Sequence, residues 1–118
     1  MIYTASSLAL AALEMLVHLP PSMRRKGGFP HLIVVGLDVP DDLVTEFDVA
    51  LLAPGYGIPD CRSAGDAWIS GDNSLGLKVP SQLIRQEVNV VLNPAHKAMA
   101  EVQIKVQQAF HFDDRLGL

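Results

Sequence analysis

The sequence predicts an α+β fold in which two helices accompany five or so strands. Segment 8–19 contains good helix formers without Gly or Pro, and a second short helix is indicated before residue 70. The remaining β-prone segments do not alternate regularly with helices, as a doubly wound parallel sheet requires. With 118 residues, of which 49% are hydrophobic and 19% charged, the chain is expected to form one domain with a buried core.

The N-terminal elements are a strand, a helix and a second strand. Ile2-Tyr3-Thr4 is β-prone, and Ser6 or Ser7 offers an N-cap for a helix over 8–19. Pro20-Pro21 ends that helix because a helix rarely continues into a proline. The stretch "HLIVVGLDV" at 31–39 predicts a buried strand.

The second half of the chain is mostly β-prone. Asp60 or Ser63 is predicted to cap a short helix that runs to about Ile69. The predicted strands that follow cover 74–79, 88–92, 101–106 and 110–112. The last two alternate strictly, so each is expected to have one face in solvent.

Composition limits the function classes. The net charge of −4 argues against a nucleic-acid or membrane-surface protein. The opening segment lacks a basic n-region and its apolar run is interrupted by Glu14, which argues against a signal peptide. The run is also too short and too polar for a membrane span. A single cysteine, Cys61, rules out an internal disulfide and favours a cytoplasmic protein. The four histidines are scattered, so no metal site is predicted.

The first helix carries an acidic residue on an otherwise apolar segment. At about 100° per residue, Ser7, Ala11, Glu14 and His18 share one face. The other positions from 8 to 17 are apolar, so the helix is predicted to be buried on nearly all sides. Glu14 then either pairs with His18 at i, i+4 or lines a pocket above the small Ala11. Tyr3 either walls that pocket or packs in the sheet.

Five segments, in this order, resemble the RES-domain toxin family. They are "YTASSLALAALEMLVHL" at 3–19, "AGDAW" at 64–68, "LKVPS" at 77–81, "EVNVVLNPAH" at 87–96 and "FHFDDRL" at 110–116. Glu14 and Ser81 match the glutamate and the serine for which the family is named, together with an arginine. Tyr3 matches the tyrosine of its "YTS" element and Asn93 the asparagine of its "LLNPAH" element, whereas Lys78 stands where arginine is usual.

The resemblance implies a mixed, split β-sheet with flanking helices around an NAD⁺-binding cleft, similar to ADP-ribosyltransferases. It also implies the toxin of a type II toxin–antitoxin pair, which consumes NAD⁺ as a substrate and is neutralised by an Xre-type helix-turn-helix antitoxin. Glu14 is then expected to stabilise positive charge on the ribose. Tyr3 would stack on a base, Ser81 would bind the nicotinamide amide or a ribose, His18 would orient Glu14, and Asn93 would contact the substrate.

The sequence departs from the family in its arginine. In the family this arginine lies upstream of the "YTS" strand, whereas the matching "YTA" here begins at Tyr3. We therefore expect residues 1–118 to form a single RES-like domain that is incomplete at its N-terminus. The resemblance implies that the arginine binds the diphosphate through two hydrogen bonds, so its loss is expected to weaken NAD⁺ binding. The alternative function is a catalytically impaired remnant that binds an antitoxin or forms homo-oligomers.

Overall fold

The computed structural model of the chain describes residues 1–46, 66–71 and 74–117. The predicted caps Asp60 and Ser63, as well as Cys61, lie outside these ranges, and the second helix occupies residues 66–71 within them. The elements in chain order are β1 (Ile2–Ala5), α1 (Leu8–His18), β2 (Leu32–Asp38), β3 (Val44–Glu46), β4 (Gly76–Pro80), β5 (Val88–Leu92) and β6 (Gln103–Phe110). Short 3₁₀ helices cover Asp41–Leu43, Lys97–Glu101 and Asp114–Leu116.

The strands form two separate sheets. The first has the order β1-β5-β4-β3, with antiparallel pairs β1/β5 and β5/β4 and a parallel pair β3/β4. The second is an antiparallel ribbon of β2 and β6. This arrangement confirms the predicted α+β class with a mixed, split sheet.

Helix α1 begins where the sequence predicts and ends one residue before the predicted end at 19. Of the two candidate caps, Ser7 is the one used: its Oγ accepts a hydrogen bond from the Leu10 N–H at 3.1 Å. Such a bond satisfies one of the N–H groups that the first turn leaves without a partner. The helix ends at His18, Leu19 is its C-cap, and Pro20 follows.

The prediction that α1 is buried on nearly all sides is wrong. Leu10 is 1% exposed, but Leu13 is 38% exposed, and Leu8, Met15 and Val17 are also exposed. The helix contacts neighbours on limited parts of its surface, where Ala12 and Leu16 pack against a hydrophobic cluster. An apolar sequence on every side of a helix therefore does not guarantee a packing partner on every side.

Two hydrophobic clusters hold the ribbon at its two ends. The first contains Leu19, Phe29 and Phe112, with Leu32 and Phe110 packed against it. In this cluster the ring of Phe112 lies 5.2 Å from that of Phe29 and 5.2 Å from that of Phe110. The second cluster contains Leu75, Leu92 and Ala98, and Leu37, Val39 and Val90 pack against it. The middle of β2 therefore bridges two anchored ends.

Strand β6 differs from the two strands predicted over 101–106 and 110–112. It is one strand, while Glu101 belongs to a 3₁₀ helix and Phe112 is buried beyond the strand end. Residues 103–109 are all exposed, so the prediction of one buried face is also wrong. The reason is that β6 pairs with β2 and with no other described strand, so a strictly alternating sequence finds no second layer.

The start of β4 also differs from the prediction. The strand begins at Gly76 instead of Ser74, because its pairing with β3 and with β5 starts at Gly76. The hydroxyl of Ser74 bonds to other groups. Its Oγ accepts from the Trp68 indole N–H at 2.8 Å and donates to the Gly76 carbonyl at 2.9 Å. This contact ties the helical segment 66–71 to the sheet.

We predict that Leu10→Ala lowers the free energy of unfolding by about 2–5 kcal/mol, the usual cost of a cavity left by a buried leucine. The matched control is Leu13→Ala in the same helix, where partial exposure predicts a loss below about 1 kcal/mol. Urea denaturation of both variants measures the two values. Equal losses of unfolding free energy in the two variants would contradict the burial of Leu10.

Candidate functional site

A cleft of about 610 Å³ lies between the ribbon, helix α1 and the four-stranded sheet. The ribbon contributes β2 along its length, and α1 contributes Leu8, Ala11, Ala12 and Met15. The sheet contributes Thr4, Val44, Lys78 and Val90. This volume lies within the range of about 300–1,000 Å³ that is typical of small-molecule sites.

Strand register explains which sheet residues reach the cleft. Thr4 pairs with Val90 and Val90 with Lys78, so these three side chains share one face of the sheet. The neighbouring row of Tyr3, Val91 and Leu77 has the opposite orientation. Tyr3 nevertheless borders the cleft, because β1 is an edge strand of this sheet, and the residue is 73% exposed.

The structure brings Glu14 and Ser81 together across 67 positions of sequence. Ser81 Oγ donates a hydrogen bond to Glu14 Oε1 at 2.8 Å. Ser81 is 1% exposed, and its Oγ also accepts from the N–H groups of Leu83 and Ile84, each at 3.1 Å. A serine hydroxyl has one proton and two lone pairs, so these three bonds fill its capacity.

The environment of Glu14 leaves one carboxylate oxygen open. Oε1 is fixed by Ser81, whereas no described residue donates a hydrogen bond to Oε2. Glu14 itself is half-buried. It lies three residues, nearly one helical turn, after Ala11, which lines the cleft, although neither Glu14 nor Ser81 is part of the cleft wall. Glu14 therefore presents an oriented carboxylate beside the cleft instead of at its floor.

The helix spacing predicted an ion pair between His18 and Glu14 as one of two alternatives. The structure shows no such pair. His18 is exposed in the last turn of α1, and the ion pair found in the described part of the chain joins Arg115 to Asp113. The contact that orients Glu14 comes from Ser81 instead. A contact of His18 with substrate stays a prediction.

Asn93 lies at the end of β5 and is 3% exposed. Its Oδ1 accepts from the Ala95 N–H at 3.1 Å, and its own N–H donates to the Leu75 carbonyl at 2.8 Å. These bonds shape the turn into the following 3₁₀ helix. Asn93 does not line the cleft, and its role as a substrate-binding residue stays a prediction.

Several polar residues of the cleft wall were not predicted as site residues from the sequence. They are Ser6, Ser7, Asp38, Asp41 and Lys78. Lys78 was noted only as a replacement for arginine, and Ser7 only as a helix cap. A signal for Lys78 was present, because it is the one charged residue in the otherwise apolar strand "GLKVP".

The remaining charged pair lies at the C-terminal 3₁₀ helix. The Arg115 guanidinium contacts Asp113 at 2.9 Å and lowers the pKa of that carboxyl, while Asp113 raises the pKa of Arg115. Both side chains are exposed, so this pair contributes little to stability.

Within residues 1–46, 66–71 and 74–117, no three His, Cys, Asp or Glu side chains are grouped so that they could hold a metal ion. None of the described helices has the length and apolar character needed to cross a membrane.

Comparison with known proteins identifies the family. The model of the RES domain matches residues 1–113. The chain is 34% identical to Toxin Res of Yersinia enterocolitica, an alignment that covers 98% of this chain and 76% of that protein. It is 32% identical to the Prs ADP-ribosylating toxin of Sphingobium sp., covering 98% of this chain and 73% of that protein. It is 30% identical to Toxin Res of Pseudomonas putida, covering 98% and 78%. The chain therefore belongs to the RES domain family.

Proposed function

We propose that this protein is a toxin that breaks the bond between nicotinamide and ribose in NAD⁺. The observation that carries the proposal is the hydrogen bond from Ser81 to Glu14, which holds a half-buried carboxylate beside a cleft. The names of the relatives give independent support, since one is an ADP-ribosylating toxin and others are toxins of the same family. NAD⁺ is the substrate in this proposal, and no cofactor is needed.

The reaction places a demand on charge that Glu14 can meet. The bond between C1′ of the ribose and N1 of nicotinamide breaks, and nicotinamide leaves with the electron pair. Positive charge then develops on the ribose until an acceptor oxygen bonds to C1′ and releases its proton. A carboxylate about 4 Å from that charge contributes roughly 4 kcal/mol at an effective dielectric of 20. The acceptor is water, phosphate or a protein side chain.

Ser81 acts as a positioning residue in this scheme. Its single proton is donated to Glu14 Oε1, and its lone pairs accept from Leu83 and Ile84. The hydroxyl therefore has no donor left for the nicotinamide amide while this bond persists. Glu14 Oε2 is the oxygen that faces the ribose, either at the developing charge or at a ribose hydroxyl.

Tyr3 is proposed to bind a base of the dinucleotide. Its ring is largely exposed at the border of the cleft, so a planar ligand can stack on it. Asn93 is the weaker candidate for a substrate contact, because its amide oxygen already accepts a bond from Ala95. His18 is exposed at the end of α1 and would reach substrate from the solvent side.

We predict that Glu14→Gln reduces the rate of nicotinamide release from NAD⁺ by roughly a thousandfold, since the neutral amide loses the charge interaction in the transition state. Release is measured by chromatography with the purified chain. Glu101→Gln is the control, because it removes an exposed carboxylate from a 3₁₀ helix that does not line the cleft. Equal release by wild type and Glu14→Gln would overturn the role of Glu14.

We predict that Ser81→Ala lowers kcat for nicotinamide release with little change in KM, because the carboxylate of Glu14 loses its fixed orientation. The matched control is Ser74→Ala, another buried serine with several hydrogen bonds but none to Glu14. Both variants are expected to lose about 1–3 kcal/mol of stability. In a Glu14→Gln background, Ser81→Ala should cause no further loss of kcat, and an additive loss would refute positioning through Glu14.

The partner proposed for this toxin is an Xre-type helix-turn-helix antitoxin, and the proposed compartment is the cytoplasm. A second candidate function is a non-catalytic module that binds this antitoxin or self-associates. The observation that favours it is exposed apolar surface: Ile2 on the edge strand β1, and Leu13 and Val17 on α1. Apolar side chains that are exposed in the isolated chain lose contact with water when a partner covers them.

We predict that expression of the chain alone arrests bacterial growth and depletes NAD⁺, and that co-expression of a neighbouring helix-turn-helix protein restores growth. Glu14→Gln is expected to permit growth and still co-purify with that protein, because the substitution leaves the exposed apolar residues unchanged. Affinity purification and cellular NAD⁺ measurements provide the readouts. Co-purification without growth arrest by the wild-type chain would support the non-catalytic module instead.

A further inference from the structure

We infer that Lys78 binds the diphosphate of the dinucleotide substrate, an inference that rests on the proposed reaction. Lys78 lies on β4 in the same row as Thr4 and Val90, on the sheet face that lines the cleft. Among the described residues of the cleft wall it is the basic one, while the acidic ones are Asp38 and Asp41. Among the described side chains of the cleft wall, Lys78 is therefore the one whose charge attracts an anion.

The ammonium group of Lys78 lacks a partner within the described part of the chain. It forms no hydrogen bond or ion pair there, although the residue is half-buried. Glu46 is opposite Lys78 in the β3/β4 register, but this glutamate is exposed and lies beyond ion-pair distance. An ammonium group without a counter-charge at a cleft wall can bind an anionic ligand without first breaking an existing ion pair.

The distance from Lys78 to the reacting centre suits a dinucleotide. Ser81 follows the end of β4 and lies three positions after Lys78, so their Cα atoms are at most about 10 Å apart. Ser81 in turn contacts Glu14 at 2.8 Å. The diphosphate is attached to C5′ of the ribose whose C1′ reacts. A ribose at Glu14 therefore leaves its phosphate within reach of a flexible lysine side chain.

The two acidic residues fix the orientation further. Asp38 ends β2 on the ribbon side of the cleft, and Asp41 begins the 3₁₀ helix that connects β2 to β3. Like charges repel phosphate, whereas carboxylates accept hydrogen bonds from ribose hydroxyls and exocyclic amines. The phosphates are thus placed at the sheet wall beside Lys78, and neutral hydroxyl-bearing parts of the ligand at the ribbon wall.

The test compares ADP-ribose, which carries the diphosphate, with adenosine, which does not. Calorimetry measures the affinity of wild type, Lys78→Met and Lys78→Arg for both ligands. Methionine keeps most of the aliphatic stem, so the packing of β4 is retained, and a melting temperature close to that of wild type checks this. Lys97→Met controls for the loss of one positive charge at an exposed position outside the cleft wall.

Lys78→Met is expected to weaken ADP-ribose binding by about tenfold to a hundredfold, the usual range for a lost charge-assisted contact. Adenosine binding should not change, Lys78→Arg should bind ADP-ribose nearly as wild type does, and Lys97→Met should have no effect. Unchanged ADP-ribose affinity in Lys78→Met would overturn the inference, as would failure of the wild-type chain to bind ADP-ribose at millimolar concentration. An equal loss of adenosine affinity would also overturn it.

Nicotinamide release separates this inference from the proposed function. If wild type releases nicotinamide and Lys78→Met has the same KM for NAD⁺, the reaction stands and the role of Lys78 falls. If wild type binds ADP-ribose through Lys78 but releases no nicotinamide, the binding role stands and the reaction falls. Reduced affinity together with a raised KM supports both.

Discussion

The hydrogen bond between Ser81 and Glu14 is the constraint on which the site depends. One hydroxyl group donates to the carboxylate of α1 and accepts from two N–H groups of the turn that joins β4 to β5. The backbone N–H of Ser81 also donates to the Glu87 carbonyl at 2.8 Å, which continues the ladder between these strands. The turn, the helix and the carboxylate are therefore positioned by the same buried residue.

Because the sheet is split, a cleft lies next to the Ser81–Glu14 hydrogen bond. The ribbon is anchored to hydrophobic clusters at both ends, so its middle stands away from the four-stranded sheet. A register shift between Gly36 and Leu37 lets the ribbon bend between its anchors. Gly36 permits the close approach there, because a Cβ at this position would lie 3.0 Å from the Val106 Cβ.

Local sequence signals predicted the elements better than their surroundings. The cap at Ser7, the proline after α1 and the apolar run of β5 are all encoded within a few residues, and the structure follows them. Burial is different, because it depends on what another part of the chain supplies. The apolar sequence of α1 and the alternating sequence of β6 are both patterns typical of buried elements. No described element covers Val17 or residues 103–109, however. The helix pattern singled out Glu14, but Ser81 was identified through the family resemblance, since no spacing rule connects residues 67 positions apart.

The charge of the whole chain and the charge of the cleft lead to different expectations. A net charge of −4 disfavours polyanions such as nucleic acids, which contact an extended surface. A dinucleotide contacts only a cleft, where the nearest charges decide because interactions beyond about 8 Å are screened at physiological salt. In the proposed reaction the positive Lys78 binds the phosphate at C5′ of the ribose, and the negative Glu14 faces the reacting C1′ of the same ribose. The cation and the carboxylate are linked through β4, since Lys78 lies three residues before the serine that holds Glu14.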